Sequence, residues 1–241
     1  HTTRPGLQLL RSAMMLGMPL CFVLALRYQS ERETWAIFWL SPIVAMVVGW
    51  AALAEPLPPL HRWATAGAGG AMMGVIWAPS PPGGVTGAAL STAMGMSFVG
   101  YLALTRVLRA ESTESKLLYT ALGVFLALFP VLPFVWEWPT PRALAVMSAI
   151  GLVGLGGLWA LDRALDSLPV SWSAPFAYAQ GIWLMALLFA QSANVPASAI
   201  AAGGLALLIA AYSVQCDRPR EVTVSGSVRR AAEGGRQRAP G

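Results

Sequence analysis

Charge is the scarcest feature of this sequence. Only 11% of its 241 residues are Asp, Glu, Lys or Arg, while 56% are hydrophobic. Soluble domains carry about 25% charged residues. The deficit excludes an ordinary water-soluble globule and makes hydrocarbon the solvent for most of the chain. Histidine is limited to His1 and His61, and no His-Glu-x-x-His pair occurs. That argues against the metal-holding or water-activating clusters of a membrane-embedded enzyme. Two cysteines, Cys21 and Cys216, cannot build a disulfide framework. Both lie in or at the end of apolar runs and read as small hydrophobes. Lysine is reduced to Lys116. There is no cleavable signal-peptide pattern, and no alternation of period two that a β-barrel would need.

What remains is a series of apolar runs separated by short charged gaps. A membrane-crossing helix needs roughly 20 mostly apolar residues, and a charge at its centre costs about 2.5–3.5 kcal/mol. Charges therefore mark the ends of spans. Residues 63–105 carry none and break at APSPPGGVTG (78–87); residues 167–216 carry none and turn at QSANVPAS (191–198). The reading is an all-α polytopic bundle of eight helices, near 6–26, 35–54, 63–78, 86–105, 117–136, 143–161, 171–190 and 196–215. Residues 217–241 are polar, Arg-rich and aromatic-free, and are expected to be a disordered tail. No acidic residue lies within these spans, which argues against a buried carboxylate as proton carrier. Asp162 and Asp166 fall in a linker beside Arg163 and are expected to be solvated.

Net charge is +5. A nucleic-acid binder would gather such charge on a soluble face; here it sits between apolar runs and sets orientation. With the N-terminus inside, one face receives Arg4, Arg11, Arg62, Arg106, Arg109, Lys116, Arg163 and the six tail arginines. The other receives Arg27, Arg32 and Arg142. Both termini are therefore expected on the cytoplasmic side of a plasma (inner) membrane.

Residues 22–50 lie on 161–189 without a gap. Ala25-Leu26 meets Ala164-Leu165, Ile43 meets Ile182 and Met46 meets Met185. Each block has a helix ending in Ala-Leu, a short polar linker, and a helix with small and aromatic residues early. A Gly-Gly helix follows both, at Ala68-Gly69-Gly70 and Ala202-Gly203-Gly204. Spans one to three thus resemble spans six to eight. A five-helix repeat would lack its first two helices here. The expected division is residues 1–78 as the remainder of the first repeat and 79–216 as the second. An odd repeat inserts its copies with opposite orientation, a transporter architecture with the substrate site between the halves.

The stretch ALDSLPVSWSAPFAYAQGIW (164–183) carries a resemblance. Ala164, Leu165, Pro169, Ser171, Ala174, Pro175, Phe176 and Tyr178, with Trp183 downstream, are similar to the second-repeat signature of EamA-type transporters. These belong to the drug/metabolite transporter superfamily. LQLLRSAMMLG (7–17) resembles that family's third helix, and FWLSPIVAMVVGW (38–50) followed by Glu55 resembles its fourth. TRVLRAEST (105–113) resembles its central loop. The likeness covers about residues 5–215. It departs from the family in lacking the first two helices, and in having Gln191 where a Glu often ends the ninth helix.

The resemblance implies ten helices around a cavity opened alternately to each side. It implies a small-molecule substrate such as an amino acid, an amino-acid derivative or a purine. No cofactor and no nucleic acid is implied, and a homodimer is compatible with it. The rival readings are a truncated, non-transporting homologue and, more remotely, a membrane-embedded enzyme.

Candidate substrate contacts are Tyr178, Gln180, Trp183, Trp39, Ser41, Ser97 and Tyr101. Tyr178 and Gln180 lie about 160° apart on a helix, so one or the other, not both, faces a narrow cavity. For Gln180 the alternative is an interhelical hydrogen bond; for Tyr178 and Trp183 it is packing. Pro42 is expected to kink its helix. Pro169 and Pro175 set how the chain enters the next one, with Ser171 or Ser173 capping it. Gly87-xxx-Ser91-xxx-Gly95 and Gly70-xxx-Gly74 are stripes for close helix contact. GLVGLGG (151–157) lacks the Gly-Lys-Ser/Thr ending of a phosphate loop and lies within a span, so nucleotide binding is rejected.

Overall fold

The computed structural model describes residues 4–76 and 84–179, with the isolated positions 204, 208 and 212. Among the described residues every element is helical and no strand occurs. Four segments are long and apolar enough to cross a membrane: Pro5–Ala25, Glu33–Ala51, Gly84–Val107 and Pro141–Ser167. Large hydrophobic side chains point outward along them, among them Leu9, Val23, Trp50, Ile150 and Val153. The chain is thus an all-helical membrane protein. The expected helix 196–215 apart from those three positions, the tail, and most of the expected helix 171–190 lie outside the described residues.

Helix α1 (Pro5–Ala25) starts with proline in its first turn, where the missing N–H has no intrahelical partner to lose. Helix α2 (Glu31–Phe38) starts on a capping box. The Ser30 hydroxyl accepts from the Glu33 N–H at 3.3 Å, and the Glu33 carboxylate accepts from the Ser30 N–H at 2.9 Å. Helix α3 (Ser41–Ala51) follows after a turn at Trp39 and Leu40. The expected single helix 35–54 is therefore two helices. The physical reason is Pro42: with no N–H, it leaves the Phe38 carbonyl without its helical donor. The turn instead closes through Leu40 N–H to Ile37 O at 3.1 Å.

Then come α4 (Pro59–Ile76) and α5 (Gly84–Val107). The expected helix 117–136 is also divided, into α6 (Thr113–Leu128) and α7 (Leu132–Val135), because Pro130 and Pro133 fall within it. Helix α8 (Pro141–Ser167) is capped by the Thr140 hydroxyl and runs six residues beyond its expected end at 161. A short α9 (Val170–Ser173) leads into a 3₁₀ turn, Ala174–Ala177.

Helix α1 lies along α5 and α6, α2 and α3 cover another side of α5, and α9 with its turn docks on α3 and α4. The Gly87-Ser91-Gly95 stripe sits in these contacts. Gly87 abuts Gln29, Ser91 Oγ accepts from Gln29 Nε2 at 2.6 Å, and Gly95 faces Ser41. At the other stripe no described residue approaches Gly70, and the surroundings of Gly74 lie outside what is described; Gly69 is the close-contact residue there, beneath the Tyr178 hydroxyl.

Helix α8 differs from the rest. Every residue from 144 to 157 is exposed, on all sides of the helix. Among the described residues nothing lies within 4 Å of a Cβ built at Gly151, Gly154, Gly156 or Gly157. Burial begins at Asp162 and Leu165, where α8 reaches α5 and α6.

Candidate functional site

Two constellations tie the chain up to Ile76 to the chain after Gly84. The first lies at the break between α2 and α3. Trp39 and Tyr178 are both buried, their rings 5.9 Å apart, and the Tyr178 hydroxyl donates to the Trp39 carbonyl at 2.9 Å. Trp35 stacks on Trp39 at 5.9 Å, and Phe38 bridges Trp39 and Phe98. Two residues beyond Trp39, Ser41 is 3% exposed and its hydroxyl has no hydrogen-bond partner among the described residues. A buried hydroxyl without a partner costs about 1–3 kcal/mol, so Ser41, which faces Gly95 of α5, is a donor and acceptor held ready at the break.

The second constellation is ionic and occupies one end of the bundle. Arg11 is fully buried on α1. Its Nη2 donates to both carboxylate oxygens of Asp162, at 2.6 and 2.5 Å, and to the Tyr101 hydroxyl at 2.5 Å. Nη1 donates to the Thr120 hydroxyl at 2.7 Å and the Lys116 carbonyl at 2.9 Å, and Nε to the Thr105 hydroxyl at 2.8 Å. The Tyr101 hydroxyl in turn donates to Asp162 Oδ1 at 2.9 Å. Beside this cluster, Lys116 pairs with Asp166, which also accepts from Thr113 at 3.2 Å.

Glu55 anchors the outer part. Ala54 takes a left-handed conformation, φ 52°, and aims Glu55 back over α3. One carboxylate oxygen accepts from Arg106 Nε at 3.0 Å, the other from the Ser171 N–H at 3.0 Å. Arg106 Nη1 also donates to the Leu165 carbonyl at 2.9 Å and the Asp166 carbonyl at 3.2 Å, so a cation sits at the negative end of α8. The Pro56 carbonyl accepts from Ser171 Oγ and Trp172 Nε1, each at 3.0 Å. His61 stacks on Trp172 at 5.0 Å.

The predicted site residues divide between these places. Trp39, Ser41 and Tyr178 come together at the break. Tyr101 joins the ionic cluster instead. Ser97 is half-buried against Gly17 of α1. Gln180 and Trp183 lie outside the described residues. Pro42 stands in the first turn of α3, Pro169 is the N-cap of α9 and Pro175 opens the 3₁₀ turn.

Three expectations are corrected. Asp162 is not solvated; it is fully buried inside α8, because that helix continues past 161 and carries it against Arg11. A carboxylate within a span therefore exists. Asp166, expected to be solvated as well, is partly buried and holds Lys116. Neither Ser171 nor Ser173 caps its helix through its side chain: Ser171 Oγ turns to Pro56 and Ser173 Oγ to Val170, and the Glu55 carboxylate takes the free N–H.

The ionic partners were missed from sequence, yet the signal was there. Arg11 interrupts the apolar run LQLLRSAMML. A charge in such a run needs a partner, and Asp162 is an acid at the same end.

No family model matches the chain, and no curated protein matches it. Solved structures do. One crystal structure superposes with a TM-score of 0.73 at 19% identity, covering 89% of this chain and 77% of that chain. At that identity the likeness establishes a shared fold.

Proposed function

We propose that the chain is an EamA-type transporter of small metabolites, working by alternating access, with substrate recognised at the break between α2 and α3. The observation that carries this reading is the Ser41 hydroxyl, buried and unpartnered in a discontinuous membrane helix. Interrupted helices near the bilayer midplane are where transporters of inverted-repeat build place their substrates, because unwound backbone supplies polar groups there. The buried aromatic cluster of Trp39, Phe38 and Tyr178 at the same break suits a small ligand with an apolar or planar part and one hydrogen-bonding group.

Helix α8 supports the further proposal that two helices belong ahead of α1. In the repeat α8 corresponds to α1, and α1 is covered by α5 and α6. The counterparts of α5 and α6 in the first half would cover the bare length of α8. The same bareness favours the second reading, a non-transporting homologue whose cavity wall is incomplete.

The test is uptake by the purified full chain in proteoliposomes, offered labelled amino acids, amino-acid derivatives and purines. Uptake that falls at least tenfold in Ser41→Ala and Tyr178→Phe, with both variants folded, supports the site. Absence of uptake across the panel favours the non-transporting reading. Uptake unchanged in both variants moves the site elsewhere.

A further inference from the structure

The ionic constellation is one-sided, and that asymmetry says what it does. Its members come from the N-terminal turns of α1 and α6 and the C-terminal turns of α5 and α8, with Glu55 just past α3. All of these meet at the same end of the bundle. Across that end run Arg11 to Asp162, Gln8 to Glu111, and Glu55 to Arg106. At the opposite end the described polar crossing is neutral, Gln29 to Ser91. The internal repeat sharpens the contrast. Continuing along α1 and α8 the register that lays 22 on 161, Arg11 corresponds to Ile150 and Asp162 to Val23. The positions that carry charge at one end carry hydrocarbon at the other.

The cluster is also layered. Glu55 and Arg106 are 8% and 13% exposed, at the edge of water, while Arg11 and Asp162 behind them are at 0%. A permanent seam in this place could be built from apolar side chains with no loss of stability. An ionic seam differs in how it opens. When apolar faces part into water, the exposed surface is a standing cost. When a carboxylate and a guanidinium part into water, each regains its hydration and the separation is nearly balanced. Intermediate, half-parted arrangements leave buried charge unpaired and are disfavoured. A contact of this kind is stable closed, stable open, and sparsely populated between.

We infer that Arg11, Asp162 and Tyr101, behind Glu55 and Arg106, form a two-layer ionic latch that closes the charged end of the bundle and parts to open it. The inference rests on the transport reading above, since it is alternating access that requires one end to open.

The experiment reads opening without reading transport. In the full chain freed of Cys21 and Cys216, Thr120→Cys places a near-isosteric thiol within the latch; Thr120 is buried against the Arg11 guanidinium. Its rate of reaction with a charged, water-soluble maleimide is measured in detergent. Reaction is expected to be slow in this background and at least tenfold faster with Asp162→Asn or Arg11→Gln. The opposite-end variants Val23→Asn and Ile150→Asn should leave it unchanged. Where the charge variants do not fold, Tyr101→Phe decides: it removes one hydroxyl shared by both charges and should raise the rate about threefold. A folded charge variant, or a folded Tyr101→Phe, that reacts at the background rate overturns the latch. So does an equal increase from the opposite-end variants, which would report general loosening. Uptake measured in parallel separates the two ideas. Uptake with an unresponsive thiol removes the latch and leaves the transporter; a responsive thiol without uptake removes the transporter and leaves the latch.

Discussion

Tyr178 donates its hydroxyl proton to the backbone carbonyl of Trp39, a residue 139 positions earlier. That separation is the offset of the internal repeat, which lays 22 on 161 and therefore Trp39 on Tyr178. Were the two halves related as that offset proposes, two equivalent positions that touch would lie at the axis relating them. Each also borders irregular backbone: Trp39 begins the break after α2, and Tyr178 follows the 3₁₀ turn Ala174–Ala177. This contact is the strongest support for two related halves meeting at the aromatic cluster.

Tyr178→Phe keeps the ring and removes this bond. The Trp39 carbonyl then has no side-chain donor in an apolar surrounding, and a loss of about 1 kcal/mol is expected. A lower melting temperature in detergent, with helical content unchanged, is the measurement. No change would mean that water or a neighbour takes the place of the phenol.

How much of this was legible beforehand differs between levels. Helix α1 is readable to within a residue, because Pro5 and the charges at Arg4 and Arg27 bound an apolar run of spanning length. The split of α2 from α3 was half legible. Pro42 announced a disturbance, but hydropathy runs unbroken through Trp39 and Leu40, so one span was read where two helices stand. The capping box at Ser30 and Glu33 was written in the sequence and would have moved the start of that segment from 35 to 31. Tyr101 and Asp162 could not be placed, since their environment is set by Arg11 of α1, 90 and 151 positions away in sequence. Burial of Asp162 depended on where α8 stops, and boundaries are the least readable feature of a helix.

Ser41→Ala separates a site residue from a core residue. Deleting a buried hydroxyl with no partner is expected to raise stability or leave it unchanged, within about 1 kcal/mol, while abolishing uptake. Stability gained with function lost is the signature of a polar group kept for a ligand. A clear fall in melting temperature would show instead that the hydroxyl is bonded within the protein.

Arg11→Met and Asp162→Leu should each destabilise by about 3–5 kcal/mol, because each strands the opposite charge in the interior. The double variant should lose much less than the two single losses combined, as the uncompensated charge is gone. Chemical denaturation of the four proteins closes the cycle. Additive losses would mean that the two residues do not act as a pair.

Gly49→Ala tests the outer layer. A Cβ there would come to 2.7 Å from both Glu55 Oε2 and the Ser171 nitrogen. One of these is backbone and cannot step aside. The expected cost is about 1–3 kcal/mol, with α9 displaced from α3. Protease sensitivity near Pro169, compared with the parent, is the readout.

The bareness of α8 has a mechanical consequence. Among the described residues the helix is gripped at Asp162 and Leu165 and bare from 144 to 157, so it stands there as a cantilever. From Asp162 to Pro141 it extends roughly 30 Å at the rise of an α-helix. A tilt of about 10° at the gripped end carries the far tip through roughly 5 Å, so small angular changes at Asp162 become displacements the width of a side chain.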